Sequence, residues 1–528
     1  MCREHSRAHI LVFPFPTHSH VNGAMDVSRK LACLGASVSF LCTDAYIRAV
    51  QDEQGDLPPN IQLLTIPDGL PPGGSTADSV DQIKVLIEVT EKMDILLHEM
   101  IVRINKEQRV TCILYDFMLW WVGPLAKTLR TPAYIFYVMS SIFFSYLSHI
   151  PVLAAEGLLP LRADTDVSDK SAIFRLRGLP PLHVSEVPDI SWSPNALCSF
   201  DYTLRSTASW REASGILFNT AYEIEKEVID SLRERAPEMD IRAVGPVLPP
   251  CFLNTQPECG DHSVPNVGNK NARHACLQWL DQHPPSSVIY IAFGTIASLN
   301  VNQIHELAMG IEASNQRFLW IIRAQPSTEA ELEGKEKNDS MAIGEFGSPF
   351  PEGFAERTRE RGKIFWGVGP QREILSHKSV GGFLTHCGWN STLEALCKGI
   401  PMLCYPMFGD QGLNCMLLEH IHAGSRLVEG RKGRNGCGCG EREDEGREGF
   451  IRREEVEQKM RWLMDLDCPL RSSVSRVRET LCMTALPGGS SYCSLEGFLE
   501  TINTRDLHLN ADTSQDQSSF MVLPPYLK

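Results

Sequence analysis

Between Val368 and Gln411 the chain reads VGPQREILSHKSVGGFLTHCGWNSTLEALCKGIPMLCYPMFGDQ, a dense set of donors and acceptors set among glycines. Phe383-Leu384-Thr385 is apolar and β-prone, which predicts a buried strand ending near His386. Gly388 then lets the backbone turn tightly and come close to a ligand. Ser391, Thr392 and Glu394 open a helix that Gly399 and Pro401 should stop. A strand, a Gly turn and a helix N-terminus make an anion site, because unsatisfied N–H groups and the helix dipole both favour phosphate. His386, Asn390 and Ser391 would add side-chain donors. Glu394, one turn into the helix, could accept from the paired hydroxyls of a ribose, and Asp410 and Gln411 could serve the hydroxyls of a sugar. The set suits a ligand made of a base, a ribose, two phosphates and a sugar.

These residues need a scaffold, and the rest of the chain supplies the pattern of one. Strand and helix signals alternate, which predicts parallel sheets with helices on both faces. Residues 8–16 read as a strand, 23–34 as an amphipathic helix and 37–43 as a second strand. Further strands are expected at 111–115, 133–138 and 215–218. Near Val244 the sequence turns Pro-, Gly-, Asn- and His-rich, as a linker does. A second series opens with a strand from Val288, a helix at 301–314 and a strand at Phe318–Ile322. The runs 324–349 and 430–449 are polar and Gly-rich and read as surface loops. The segment after Arg505 reads as a polar tail.

With 528 residues the chain is long enough for at least two domains. Hydrophobic content of 43% and charged content of 22% are those of a folded globular protein. A net charge of −15 argues against nucleic acid or an anionic membrane as main partner. The cysteines number 17, an odd count, and Cys42, Cys112, Cys397 and Cys404 sit in apolar runs. Buried thiols in a reducing compartment explain this better than a disulfide framework. Cys437-Gly-Cys439 has no second ligand pair at metal-site spacing, so no metal site is expected. The apolar run at the N-terminus is too short and Pro-broken for a signal peptide, and Ala133–Leu147 falls short of a bilayer span. A cytoplasmic, monomeric protein with no transmembrane segment is the expectation.

The run 368–411 resembles the plant secondary-product glycosyltransferase box of the UDP-dependent family-1 glycosyltransferases. Segments outside it match the family in order: 276–281, Phe293-Gly294-Thr295, 318–323, Pro487–Ser491 and, in the N-terminal half, 215–225. The resemblance covers about residues 8 to 500. It implies an α/β fold of two Rossmann-like domains facing across a cleft (GT-B). The first, 1–246, would bind the acceptor, and 247–275 would link it to the donor domain, 276–487. A helix at 488–505 would cross back to the first domain, leaving 506–528 as a tail. The implied donor site is Thr295, Val368, Gln371, His386, Gly388, Trp389, Asn390, Ser391, Glu394, Asp410 and Gln411. One position departs from the family. The box normally opens with a Trp that stacks on uracil; here it opens with Val368, and Trp366 lies two residues earlier, on the same face if both belong to a strand.

An alcohol is a poor nucleophile until its proton is taken, so sugar transfer to a hydroxyl needs a base. The segment Thr17–Asn22, after the first strand, lies where α/β sheets bind ligands. The family's catalytic His is followed by a Val/Ile-Asn pair, which places it on His20, with His18 as its neighbour across the loop. Asp116, after the strand 111–115, stands where the family keeps the carboxylate that orients the base; an Asp there could also be a simple helix cap, and Asp44 is the runner-up. The resemblance thus implies single displacement with inversion at the anomeric carbon, a metal-independent reaction and no cofactor, the UDP-sugar being a co-substrate. Gln411 leans toward glucose. The acceptor would be a small lipophilic or aromatic molecule of secondary metabolism, walled by Phe15, Trp120, Trp121, Met139, Phe143 and Phe144, unless some of these are plain core. Val138 and Met139 stand where many relatives carry Thr.

Two other classes fit the same residues less well. A catalytically silent nucleotide-sugar-binding protein would keep the box and lose the base pair, yet His20 and Asp116 are both present. A NAD-dependent oxidoreductase would carry Gly-x-Gly-x-x-Gly after its first strand, where this chain reads PTHSHVNG.

Overall fold

The computed structural model describes residues 8–44, 46–47, 50, 57–68, 80–161, 165, 169, 171–191, 198–253, 270–294, 299–322, 349–428 and 451–513. Two parallel sheets carry it. The first contains β1 (His9–Phe13), β2 (Ser37–Thr43), β3 (Ile61–Ile66), β4 (Cys112–Asp116), β5 (Ala133–Tyr137), β8 (Gly215–Phe218) and β9 (Asp240–Ala243), in the order β3-β2-β1-β4-β5-β8-β9. Between β5 and β8 a short antiparallel pair, β6 (Ile173–Phe174) and β7 (Leu182–His183), lies off the sheet. The second contains β10 (Val288–Ala292), β11 (Arg317–Ile322), β12 (Gly362–Trp366), β13 (Val380–Thr385), β14 (Met402–Cys404) and β15 (Gly424–Arg426), in the order β12-β11-β10-β13-β14-β15.

The central strands are mostly apolar because helices cover both faces: β1, β4, β5, β10 and β13 are buried at every residue. The helix His18–Cys33 shows how one face is filled. It buries Val21, Ala24, Met25, Ser28, Leu31 and Ala32, the spacing of a helical stripe. In each sheet the strand order reverses once at its centre, between β1 and β4 and between β10 and β13. At such switch points the chain leaves neighbouring strands in opposite directions and opens a crevice at their carboxyl ends, where ligands bind.

The expected strands and the helix at 301–314 all appear, their ends shifted by a few residues. Four differences bear on function. The segment Thr17–Asn22 is no loop, since the helix begins at His18 with Thr17 at its N-cap. Val21 and Ala24 reach the core from that first turn, which draws it into the helix. Asp116 is the last residue of β4 and does not follow it. Strand β12 ends at Trp366, and Gly367 at φ 107° breaks the alternation that would have put Trp366 and Val368 on one face. Finally the last helix runs from Ser490 to Thr513, past the boundary at 505, with no Gly or Pro between Gly497 and Pro524 to stop it. Its Leu495, Phe498, Leu499 and Ile502 are buried among Ile10, Val12, Leu114 and Tyr134 of the first sheet. The loops at 324–348 and 430–449, including Cys437 and Cys439, lie outside the described residues, as does the tail beyond Thr513.

Among the described residues no helix is long and apolar enough to cross a membrane. Cys42, Cys276, Cys387, Cys397 and Cys404 are buried thiols outside any disulfide.

Candidate active site

His20 and Asp116 come from the two strands that flank the first switch point. His20 sits in the first turn of the helix that follows β1, and Asp116 ends β4. Nδ1 of His20 lies 2.7 Å from Oδ2 of Asp116, while Oδ1 accepts from the N–H of Met118 at 2.9 Å. The carboxylate is thereby fixed at both oxygens, and the edge of Phe15 packs on the imidazole at 5.9 Å. Burial pulls the pKa of His20 down, but the charge and hydrogen bond of Asp116, with some help from Asp410, outweigh it, and the net is a rise above 6.5. Nδ1 is committed to the carboxylate, which leaves Nε2 as the atom that can take a proton. His18 lies elsewhere on the helix, its Nε2 3.1 Å from the side-chain amide of Asn22 one turn on.

The second sheet presents its own switch point to the same cleft. β10 leads into Phe293-Gly294, and Gly294 adopts φ 77°. β13 ends at Thr385 and leads into His386, Cys387 and Gly388. Cys387 adopts φ 67°, a left-handed conformation that costs energy in a residue with a Cβ and is held by its neighbours. Its N–H donates to the Thr385 hydroxyl at 3.2 Å, and its carbonyl accepts from Asn414 at 2.9 Å. The imidazole of His386 lies against two glycines. A Cβ at Gly294 or at Gly388 would stand 2.5 or 2.4 Å from its Nε2. Burial, against a weaker pull from the Ala292 carbonyl, lowers the His386 pKa to about 4, so the ring is neutral near pH 7.

The helix Trp389–Lys398 starts at this turn, capped by Gly388 without a side-chain acceptor, so its first N–H groups face the cleft uncapped. Glu394 holds its place through both oxygens: Gln371 donates to Oε2 at 2.8 Å and Arg372 to Oε1 at 2.7 Å. Gln371 also donates to Ser391 Oγ at 2.9 Å and accepts from Tyr290 at 3.4 Å. Its amide hydrogens are thus spent on ordering Ser391 and Glu394.

At the far end of the box, Gln411 turns its carbonyl oxygen back to the N–H groups of Met407 and Phe408, at 2.8 and 3.2 Å. Only its amide NH2 remains for a ligand. Burial pushes the Asp410 carboxyl up to about 6, opposed by the hydrogen bond from Asn414 and by nearby His20. His20 and Asp410 influence each other's charge, so the two groups lie near one another.

Other expected residues land differently. The indole of Trp389 is turned away from the cleft, donating to the Asn219 carbonyl at 2.8 Å and buried beside Leu393 and Leu417. Its bulk needs cover that the domain junction supplies, and only its backbone N–H is left for a donor. The Asn390 amide donates to the Ser19 carbonyl at 2.9 Å, next to His20. Thr295 lies outside the described residues. Val368, 46% exposed, stands free at the cleft rim, and Trp366, 51% exposed, leans edge-on to Phe350 at 6.2 Å. On the acceptor side, Phe144 belongs to an aromatic cluster with Phe117, Tyr137, Trp210 and Phe218, and Trp121 packs on Phe13, so both are core. Phe143 is buried, Met139 is half-buried between the two cores of the first domain, and Trp120 donates to Glu91 at 3.0 Å.

Sequence reading missed Asn414, Ser140 and Asp189. Asn414 donates to Asp410 Oδ2 at 2.7 Å as well as to Cys387, and Ser140 of the first domain donates to Asn414 Oδ1 at 2.5 Å. Asp189 accepts from the Gly409 N–H at 2.7 Å across the cleft. Only the spacing of Asp410 and Asn414, one helical turn, was a usable signal. The sulfurs of Cys387, Cys404 and Cys415 lie within 4.8 Å of one another beneath the turn. Burial raises the Cys387 thiol, and hydrogen bonds to its neighbours raise Cys404, so both pack protonated, as small apolar groups.

The family model for UDP-glucoronosyl and UDP-glucosyl transferase matches residues 269–435. The chain is 30% identical to the scopoletin glucosyltransferase of Nicotiana tabacum, over 94% of this chain and 98% of that protein. It is 31% identical to the 7-deoxyloganetin glucosyltransferase of Gardenia jasminoides, over 77% and 82%. Its fold is that of UGT71G1 of Medicago truncatula, solved in complex with UDP-glucose. The TM-score is 0.75 at 24% identity, over 95% of this chain and all of that one.

Proposed function

We propose that this chain, which belongs to the plant-type family-1 UDP-glycosyltransferases, moves a hexosyl group from a UDP-sugar, glucose foremost, to a hydroxyl of a small lipophilic or aromatic acceptor. The single observation that carries the reading is the His20–Asp116 pair standing in one cleft with the His386–Gly388 turn and the helix it opens. Nε2 of His20 takes the proton of the acceptor hydroxyl as its oxygen bonds to the anomeric carbon, and the bond from that carbon to the diphosphate breaks. The diphosphate leaves with the electron pair. Attack opposite the leaving group inverts the configuration. Asp116 keeps the imidazole in the tautomer with Nε2 open and stabilises the imidazolium that forms.

The charge arriving on the leaving phosphate meets the uncapped N–H groups at Trp389–Ser391. These donors support a reaction that needs neither a metal ion nor a cofactor. Glucose is supported by Gln411, with its amide NH2 open, and by two relatives that are named glucosyltransferases. A cytoplasmic, monomeric enzyme completes the reading, supported by the buried thiols outside any disulfide.

The test is release of UDP from UDP-glucose with a panel of phenols, flavonoids and terpenoid alcohols, repeated in EDTA. Turnover that persists in EDTA and vanishes in His20→Ala is expected. UDP-sugar binding with no turnover on any acceptor would leave a silent binding protein instead. Activity lost in EDTA and restored by Mn²⁺ would refute metal independence.

A further inference from the structure

Arg372 follows Gln371 in the donor domain and has no part in the chemistry above, yet its guanidinium stands between carboxylates of both domains. Nε donates to Oε1 of Glu394 at 2.7 Å. Nη2 donates to Oδ2 of Asp26 at 2.6 Å, and Nη1 reaches Oδ1 at 3.5 Å. Asp26 lies on the helix His18–Cys33, whose first turn carries His20, and both Asp26 and Glu394 are 6% exposed. An exposed ion pair would contribute little to stability. Two buried carboxylates around one Arg are another matter, because each would be costly to keep charged alone.

Burial raises the Asp26 carboxyl, opposed first by the charge and hydrogen bond of Arg372, with Glu394 adding to the rise and Arg29 resisting it. The guanidinium, for its part, is desolvated by burial but held above its ordinary pKa by the two acids. The three groups therefore depend on one another across the domain boundary.

What this does for Glu394 follows from counting acceptor sites. A carboxylate offers roughly four lone-pair directions. Arg372 takes one on Oε1 and Gln371 one on Oε2, which fixes the plane of the group and leaves one direction on each oxygen. Two parallel open acceptors match a vicinal diol. Neutral bonds join the domains elsewhere, Asn390 to the Ser19 carbonyl and Ser140 to Asn414, so docking as such does not require the ion pair.

We propose that Arg372 and Asp26 are a positioning pair that ties the ribose-binding carboxylate of the donor domain to the helix bearing the base, so that the ribose diol is gripped fully only in the docked arrangement of the two domains. This rests on reading Glu394 as the ribose acceptor. It adds two residues that touch neither sugar nor acceptor and assigns them to donor affinity.

The test compares calorimetric binding of UDP and 2′-deoxy-UDP to the full chain and to Arg372→Gln, Arg372→Lys and Asp26→Asn. Arg372→Gln should weaken UDP about 10-fold, the scale of one charge-assisted hydrogen bond, and 2′-deoxy-UDP by less than about threefold. Discrimination between the two nucleotides therefore collapses. Asp26→Asn should move both affinities in the same sense by less, and Arg372→Lys should recover part of the loss. In turnover the KM for UDP-glucose should rise more than kcat falls. Equal weakening of the two nucleotides, or none, in Arg372→Gln overturns the proposal. Should Asp26→Asn fail to fold, the two Arg372 variants, at a partly exposed position, decide it alone. Because the readout is nucleotide binding, a wild-type protein that binds UDP but turns over no acceptor sinks the proposed activity and leaves this comparison standing.

Discussion

His20 shows how one contact sets a pH profile. With His20 as the proposed base, which works unprotonated, activity should fall as pH drops through its pKa, and the rise above 6.5 places that acid limb higher than a free imidazole would. In Asp116→Asn the carboxylate's charge is gone while burial still pulls downward. The acid limb of kcat/KM should move to lower pH, and kcat should drop by about 10²-fold or more with the loss of the orienting charge. A pH–rate profile of the variant checks both, and an acid limb left in place would mean that another group is the base. Val368 is the second residue with a clear expectation. It stands exposed between Gly367 and Gly369, where a ring has room to lie. Stacking of a base on an aromatic ring contributes about 1–3 kcal/mol, so Val368→Trp should lower the donor KM about fivefold or more. An unchanged KM would mean that uracil is held by other groups.

Among the elements, the turn from β13 into the helix Trp389–Lys398 concentrates the most constraint. Gly388 has an ordinary negative φ, so its role is not backbone freedom but space. A methyl there would press on the His386 ring, and Gly294 also lies against that ring, where a Cβ would stand 2.5 Å from Nε2. Gly388→Ala should therefore displace His386 or tilt the helix N-terminus, costing donor affinity and at least about 10²-fold in kcat, since misplacement of the phosphate donors by an ångström is enough. Steady-state kinetics with UDP-glucose, beside a melting curve showing a folded protein, would check this. Wild-type kinetics would mean that the ring is free to move.

For the whole molecule, the last helix couples the two halves. It leaves the donor domain at Ser490, where Ser491 donates to the Gly245 carbonyl, and buries Phe498 against Tyr134 in the first domain, ring centroids 4.9 Å apart. Arg242 bonds Thr501 and the Ser494 carbonyl on the way. Phe498→Ala should cost about 3–5 kcal/mol, as truncation of a buried Phe does, and it should do so by loosening the first domain although the residue lies in the C-terminal part of the chain. Thermal unfolding together with hydrogen exchange at β1 and β4 would check it. Protection lost only in the donor domain would contradict this packing.

Local pattern alone carried much of this. Apolar runs marked the central strands, because a strand covered on both faces carries few polar residues to confuse the signal. The order strand, Gly, helix at 383–399 announced an anion site, because backbone N–H geometry follows from local sequence. His20 and Asp116 could be named, but their 2.7 Å contact joins residues far apart in the chain and exists only because β1 and β4 are neighbours at a switch point. The pieces that reading by segment missed are of one kind. Asp26 with Arg372, Ser140 with Asn414 and Asp189 with Gly409 each pair one domain with the other. Trp389 and Trp366 went astray for a related reason, since side-chain direction depends on what the fold leaves to cover each ring. Sequence by itself determined which chemical groups are present and which elements carry them. Tertiary structure decided which groups meet, because contacts across a domain boundary are set by docking, and no spacing along the chain encodes it.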